Sequence, residues 1–168
     1  GDKLKIYNLA SRLMKDHDLV LITFVQDKKE FEYREELEKI FQEVHLIYLP
    51  KWKSWLNCLV QLFNFTSSAP PFQVAYFWSG KMKKKLESFL NTSPIDIAHV
   101  QHMRMAQYMA DRSDIARILD LPDAYSLYWE RRKKVERPWY NRLFDSLESK
   151  RVIRYESVTS KFSPNLAC

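Results

Sequence analysis

Glycine is almost missing from this chain. Only Gly1 and Gly80 stand among 168 residues, and no G-x-G-x-x-G occurs. A dinucleotide fingerprint of the usual form is therefore excluded. Cysteine is equally scarce. Cys58 and Cys168 are too few for a disulfide scaffold and suit a reducing compartment. Neither a CxxC nor a cysteine–histidine cluster is present, so no structural zinc is expected. No apolar run approaches the ~20 residues of a membrane span. The first residues lack a secretory-signal pattern, and the sequons at 64–66 and 91–93 are read as chance matches.

What is present is apolar and basic. Hydrophobic residues make up 46% and aromatics 14%, too much for a disordered chain. The length suits one domain with a sizeable core, assigned to residues 1–168 as a whole. The formal charge of +6 is consistent with an anionic partner and also with a solvated basic surface.

Helical and extended patterns alternate with short connections. Residues 3–16 place Ile6, Leu9, Ala10 and Leu13 at helical spacing. Residues 19–25, LVLITFV, read as a strand buried on both faces, and 44–49, VHLIYL, as the next. Residues 28–41 read as a charged helix between them. Residues 52–63 form an apolar helix, 72–78 are ambiguous, and 80–90 form a basic helix. Residues 95–101 and 116–121 read as two more strands, with a short helix at 103–110 between them. Helices are expected over 126–135 and 139–162, broken at Pro138, and NLAC can begin a last strand. This alternation implies an α/β fold with a mostly parallel sheet.

Ligands of such sheets bind at the carboxyl ends of strands, which draws attention to Asp27, Pro50, Gln101, His102, Pro122 and Asp123. His99, inside a strand, is expected to be a buried histidine with a satisfied hydrogen bond. His102 can take a proton or bond a substrate hydroxyl, or simply sit near a helix cap. Arg104 can reach a phosphate. Asp123 and Ser126 can cap a helix or face a hydroxylated ligand. Glu148 and Glu156 suggest an acid–base pair, but Arg151 and Arg154 between them favour a solvated salt-bridge helix. Asp2 is read as a helix cap, with Lys3 and Lys5 adding charge near a helix N-terminus that suits phosphate. The 52–63 helix carries Trp52, Trp55, Leu56, Leu59, Val60 and Phe63 on one face. That face fits a helix covering a sheet, or one lying on an anionic membrane, and the basic run at 81–85 suits the second.

Four stretches together resemble one family. They are GDKLKIYNLASRLMKDHDLVLITF, PPFQVAYFWSGKM, IDIAHVQHMRMAQY and RILDLPDAYSLYWERR. In this order they look like the N-terminal half of bacterial family 4 glycosyltransferases, which have the GT-B architecture. The resemblance implies a Rossmann-like three-layer domain lacking its first strand, and a separate C-terminal domain carrying most donor contacts. It implies retaining transfer of a sugar from a nucleotide sugar, without a metal, to a glycan or lipid-linked acceptor of surface polysaccharide. It further implies a cytoplasmic enzyme, peripheral on the inner membrane face, with this fragment alone inactive. Gly1, Asp2 and Lys3 match the turn near the donor phosphates. The family often carries His-x-His after its fourth strand. Here His99 matches the first position, Gln101 holds the second, and His102 follows, so His102 is assigned the catalytic role. Gln101, Arg104, Asp123 and Ser126 are assigned to the acceptor. The family's paired glutamates belong to the other domain, so Glu148 and Glu156 are not given that role. The competing expectation is a non-catalytic α/β module for an anionic ligand or nucleic acid; the family reading implies no nucleic acid.

Overall fold

In the computed structural model the described residues are 2–64, 66, 68–121, 125–133 and 138–159. They fall into two compact units, Gly1–Lys53 and Ser54–Cys168. The first opens with helix α1, Asp2–Leu13. Strand β1, Val20–Val25, follows. A 3-10 helix over Lys28–Tyr33 and a single turn α2, Arg34–Leu37, lead to strand β2, Glu43–Tyr48. β1 and β2 pair in parallel, from Val20 opposite Glu43 to Val25 opposite Tyr48.

The expected helix over 28–41 is only partly formed. Asp27 accepts the Lys29 N–H at 3.0 Å, and Glu30 accepts the Gln26 and Asp27 N–H groups at 2.8 and 3.3 Å. This reciprocal cap starts a tight 3-10 turn. The helix stops at Leu37 because Ile40 and Phe41 turn into the core. There they meet Ala10 and Val44, with Leu19, Leu21, Leu37 and Leu46 against them. Of the expected α1 stripe, Ala10 alone is buried, while Leu9 and Leu13 are exposed. Asp2 is a residue of the first helical turn rather than the cap before it.

The second unit is built around strands β3, Ile97–Gln101, and β4, Ala116–Asp120. They also pair in parallel, Ile97 with Ala116 through Gln101 with Asp120. Parallel pairing throughout agrees with the α/β class. Among the described residues it is divided between two two-stranded sheets, β1-β2 and β3-β4. Each strand then lies at an edge, and the double burial expected for LVLITFV is not found. β1 is half-buried except for Val25.

Helix α3 spans Lys51–Leu62, α4 Phe72–Tyr76 and α5 Gly80–Thr92. The ambiguous 72–78 segment is thus helical at its start. A short α6, Met103–Ala106, joins β3 to β4. Helices α7, Tyr125–Lys133, and α8, Trp139–Thr159, complete the described chain, with the break at Pro138 as expected. The suggested strand at NLAC lies outside the described residues. Val100, Ala106 and Met109 pack with Leu86, Leu90 and Leu119. Val74, Met103 and Val152 form a second cluster with Tyr125, Trp129 and Tyr155.

Helix α3 is turned opposite to the simplest expectation for an apolar helix. Its buried residues are Ser54 and Gln61. Gln61 donates to the Pro70 carbonyl at 2.5 Å and Asn57 to the Trp78 carbonyl at 2.9 Å. The Cys58 thiol approaches the Phe72 carbonyl at 3.8 Å. The irregular backbone around Pro70 and Pro71 needs donors for its carbonyls, and the polar stripe of α3 supplies them. The apolar stripe is consequently left outside.

Candidate functional site

Each parallel pair presents a carboxyl edge. In the first unit that edge opens into a shallow depression of about 440 Å³. It is lined by Gln26, Asp27 and Lys28 after β1 and by Tyr48, Pro50, Lys51 and Trp52 after β2. Asp27 and Pro50 were expected from strand ends alone. The aromatic pair and the two lysines were not singled out there, although Tyr48 closes a strand and Trp52 opens a helix. Asp27 is committed to the cap, so its carboxylate serves local structure. Of the residues assigned to donor phosphate, Asp2 and Lys3 lie in the first turn of α1, and Gly1 lies outside the described residues.

In the second unit the corresponding edge carries Gln101, His102 and Arg104. The His102 N–H donates to the Asp120 carbonyl at 2.9 Å, extending the ladder by one rung. Its carbonyl accepts from Met105 at 3.0 Å, opening α6. One residue thus ends a strand and begins a helix. The backbone manages this with φ 68° and ψ 145° at His102, the only positive φ among the described residues. This region belongs essentially to glycine and costs a side-chain-bearing residue roughly 1–3 kcal/mol. Such strain persists only where neighbouring structure enforces it, and it concentrates at functional positions.

His102 is a buried residue, 8% exposed, so little of it is open to a substrate. Gln101 Nε2 is buried and has no hydrogen-bond partner among the described residues. The Arg104 guanidinium lies 4.6 Å from the centre of the Phe77 ring. That stacking fixes the cation without neutralising it. The scaffold behind is tightly bonded. Gln107 Nε2 donates to the Val74 and Arg104 carbonyls at 2.9 and 2.8 Å. Tyr108 donates to the Phe77 carbonyl at 2.5 Å and accepts the Ser79 N–H at 2.7 Å. Burial pushes the Tyr108 phenol well above its usual range.

His99, expected to be buried, is exposed. Alternation along β3 turns Val100 inward and His99 outward. Ser126 lies in the first turn of α7, and Asp123 lies outside the described residues. The expectation of a solvated Glu148–Arg151 helix is overturned: both residues are at most 2% exposed. Glu148 Oε1 accepts the Phe72 N–H at 2.7 Å, and Oε2 lies 3.7 Å from the Arg151 guanidinium. Arg151 also donates to the carbonyls of Thr66 and Asn64. Burial raises the Glu148 carboxyl to about 7, against the opposing pull of the Phe72 N–H and Arg151. Sequence spacing missed this group because helical periodicity says nothing about a loop that folds over the helix. Glu156, two turns on, is half-buried, and Arg154 is exposed.

Among the described residues no group of three or more His, Cys, Asp or Glu side chains is placed to hold a metal ion. No helix among them is long and apolar enough to cross a membrane. No known family model, characterised protein or solved structure matches the chain.

Proposed function

We propose that this chain is the acceptor-side, Rossmann-like N-terminal domain of a retaining glycosyltransferase. In this reading its three-layer core is completed by further strands, and a second domain brings the nucleotide-sugar donor. The acceptor is a glycan or lipid-linked sugar of surface polysaccharide, and the enzyme works in the cytoplasm at the inner membrane face without a metal. The observation that carries the reading is the strained backbone of His102 at the carboxyl end of a parallel strand. It holds an imidazole edge where an acceptor hydroxyl can bond or lose its proton. Arg104, in the first turn of α6, flanks it as a donor to a polar acceptor, and Gln101 ends the strand beside it. Departure of a nucleoside diphosphate leaves negative charge, which helix N-termini and lysines of the donor side stabilise.

The test is a product assay with the full-length protein and a panel of nucleotide sugars, with and without a lipid-linked acceptor. Sugar transfer that falls about a hundredfold in His102→Ala, with unchanged folding, supports the reading. No transfer from any donor, or transfer unaffected by His102→Ala, removes it.

A further inference from the structure

Among the described residues, the outward face of α3 is left uncovered and apolar. Within the second unit, Trp55, Leu56, Leu59 and Val60, with Phe63 just past the helix end, recur at helical spacing and are between 49% and 79% exposed. This is not a stripe waiting to turn inward. The opposite face is already held by the Gln61, Asn57 and Cys58 contacts to the 70–78 segment. Trp55 is further fixed edge-on against Tyr76, with ring centres 5.8 Å apart. The helix therefore presents its apolar side by construction.

We propose that this face of α3 docks on an anionic lipid surface, with the helix lying in the plane of the interface. Tryptophan, leucine and phenylalanine on one side of a helix of low overall hydrophobicity are the signature of interfacial binding. Charge complementarity identifies the partner. Helix α3 contains no acidic residue. Its Asn57 holds the Trp78 carbonyl, two residues before α5 begins, and α5 carries Lys81, Lys83, Lys84 and Lys85. Lys81, Lys84 and Lys85 are exposed. Such a lysine cluster is drawn to anionic headgroups within a Debye length. A second copy of the chain would instead bring like charges together, since an isologous contact repeats the same patch on both sides. The aliphatic Leu56, Leu59 and Val60 offer nothing to a phosphate backbone, which argues against nucleic acid.

The experiment is flotation of the full-length protein with vesicles of phosphatidylcholine alone or containing about one-third phosphatidylglycerol. The protein floats with the anionic vesicles, releases in high salt, and stays behind with the zwitterionic ones. Leu59→Ser/Val60→Ser/Phe63→Ser lowers partitioning about tenfold or more. Circular dichroism checks that this variant keeps its fold. Lys81→Glu/Lys84→Glu/Lys85→Glu, which leaves α3 untouched, also lowers partitioning and removes the salt dependence. Failure of the wild type to float with anionic vesicles overturns the proposal, as does equal flotation of either variant. A dimer that dissociates in the serine variant also overturns it, because a second copy would then cover the face. None of these outcomes bears on sugar transfer to a soluble acceptor, so this proposal and the catalytic one fail separately.

Discussion

Glu148 accepts the backbone N–H of Phe72 at 2.7 Å, and the two residues are 76 positions apart. A carboxylate in the middle of α8 thereby fixes the start of α4. Arg151, one turn further along α8, reaches the carbonyls of Thr66 and Asn64 in the same segment. Together they clamp the loop that also receives the polar face of α3.

The clamp makes stability pH-dependent. The Glu148 carboxyl rises from its ordinary 4.5 to about 7 on folding. The folded state thus binds its proton more tightly. The resulting stability is fully present below pH 4.5 and is lost as pH rises through about 7. Glu148→Gln keeps an acceptor for Phe72 and removes the titration. Between pH 5 and 8 the wild type is expected to lose up to about 3 kcal/mol relative to this variant. Parallel urea unfolding curves across that range check it, and a constant difference would reassign the carboxyl.

Removing the cation is worse than removing the anion. Arg151→Met leaves a buried carboxylate without its partner and strips the Thr66 and Asn64 carbonyls of a donor. The expected loss is about 3–5 kcal/mol. Adding Glu148→Gln restores part of it, which a double-mutant cycle on chemical denaturation measures.

At His102 the backbone and the ring make separable contributions. His102→Gly fits φ 68° freely, whereas His102→Ala does not. The glycine variant is expected to be more stable than the alanine variant by about 1–2 kcal/mol. Both lack the imidazole and share the same loss of sugar transfer. Equal stability of the two would show that the strain is relieved elsewhere.

Tyr108→Phe deletes a hydroxyl that serves two backbone groups, the Phe77 carbonyl and the Ser79 N–H. Phenylalanine retains the ring stacked on Trp78 at 5.8 Å. The cost is about 1–3 kcal/mol for buried groups left unpaired. Hydrogen exchange at the Ser79 amide, which then opens at the N-cap of α5, localises the effect.

Sequence periodicity located the four strands of the described residues, because strings such as LVLITFV are rich in β-branched residues and bounded by polar turns. It also placed α3, α5, α7 and α8 closely, and it put Gln101 and His102 at a strand end. Those properties are local, and the chain carries them in its spacing. Direction is not local. Nothing in KWKSWLNCLVQLF says that Ser54 goes inside and Phe63 outside, since hydrophobic pattern alone predicts the reverse. That choice depends on the carbonyls of Pro70, Phe72 and Trp78, which only the folded loop brings alongside the helix. The burial of Glu148 and Arg151 has the same origin: long-range partners made desolvation tolerable for charges that sequence spacing alone assigns to water.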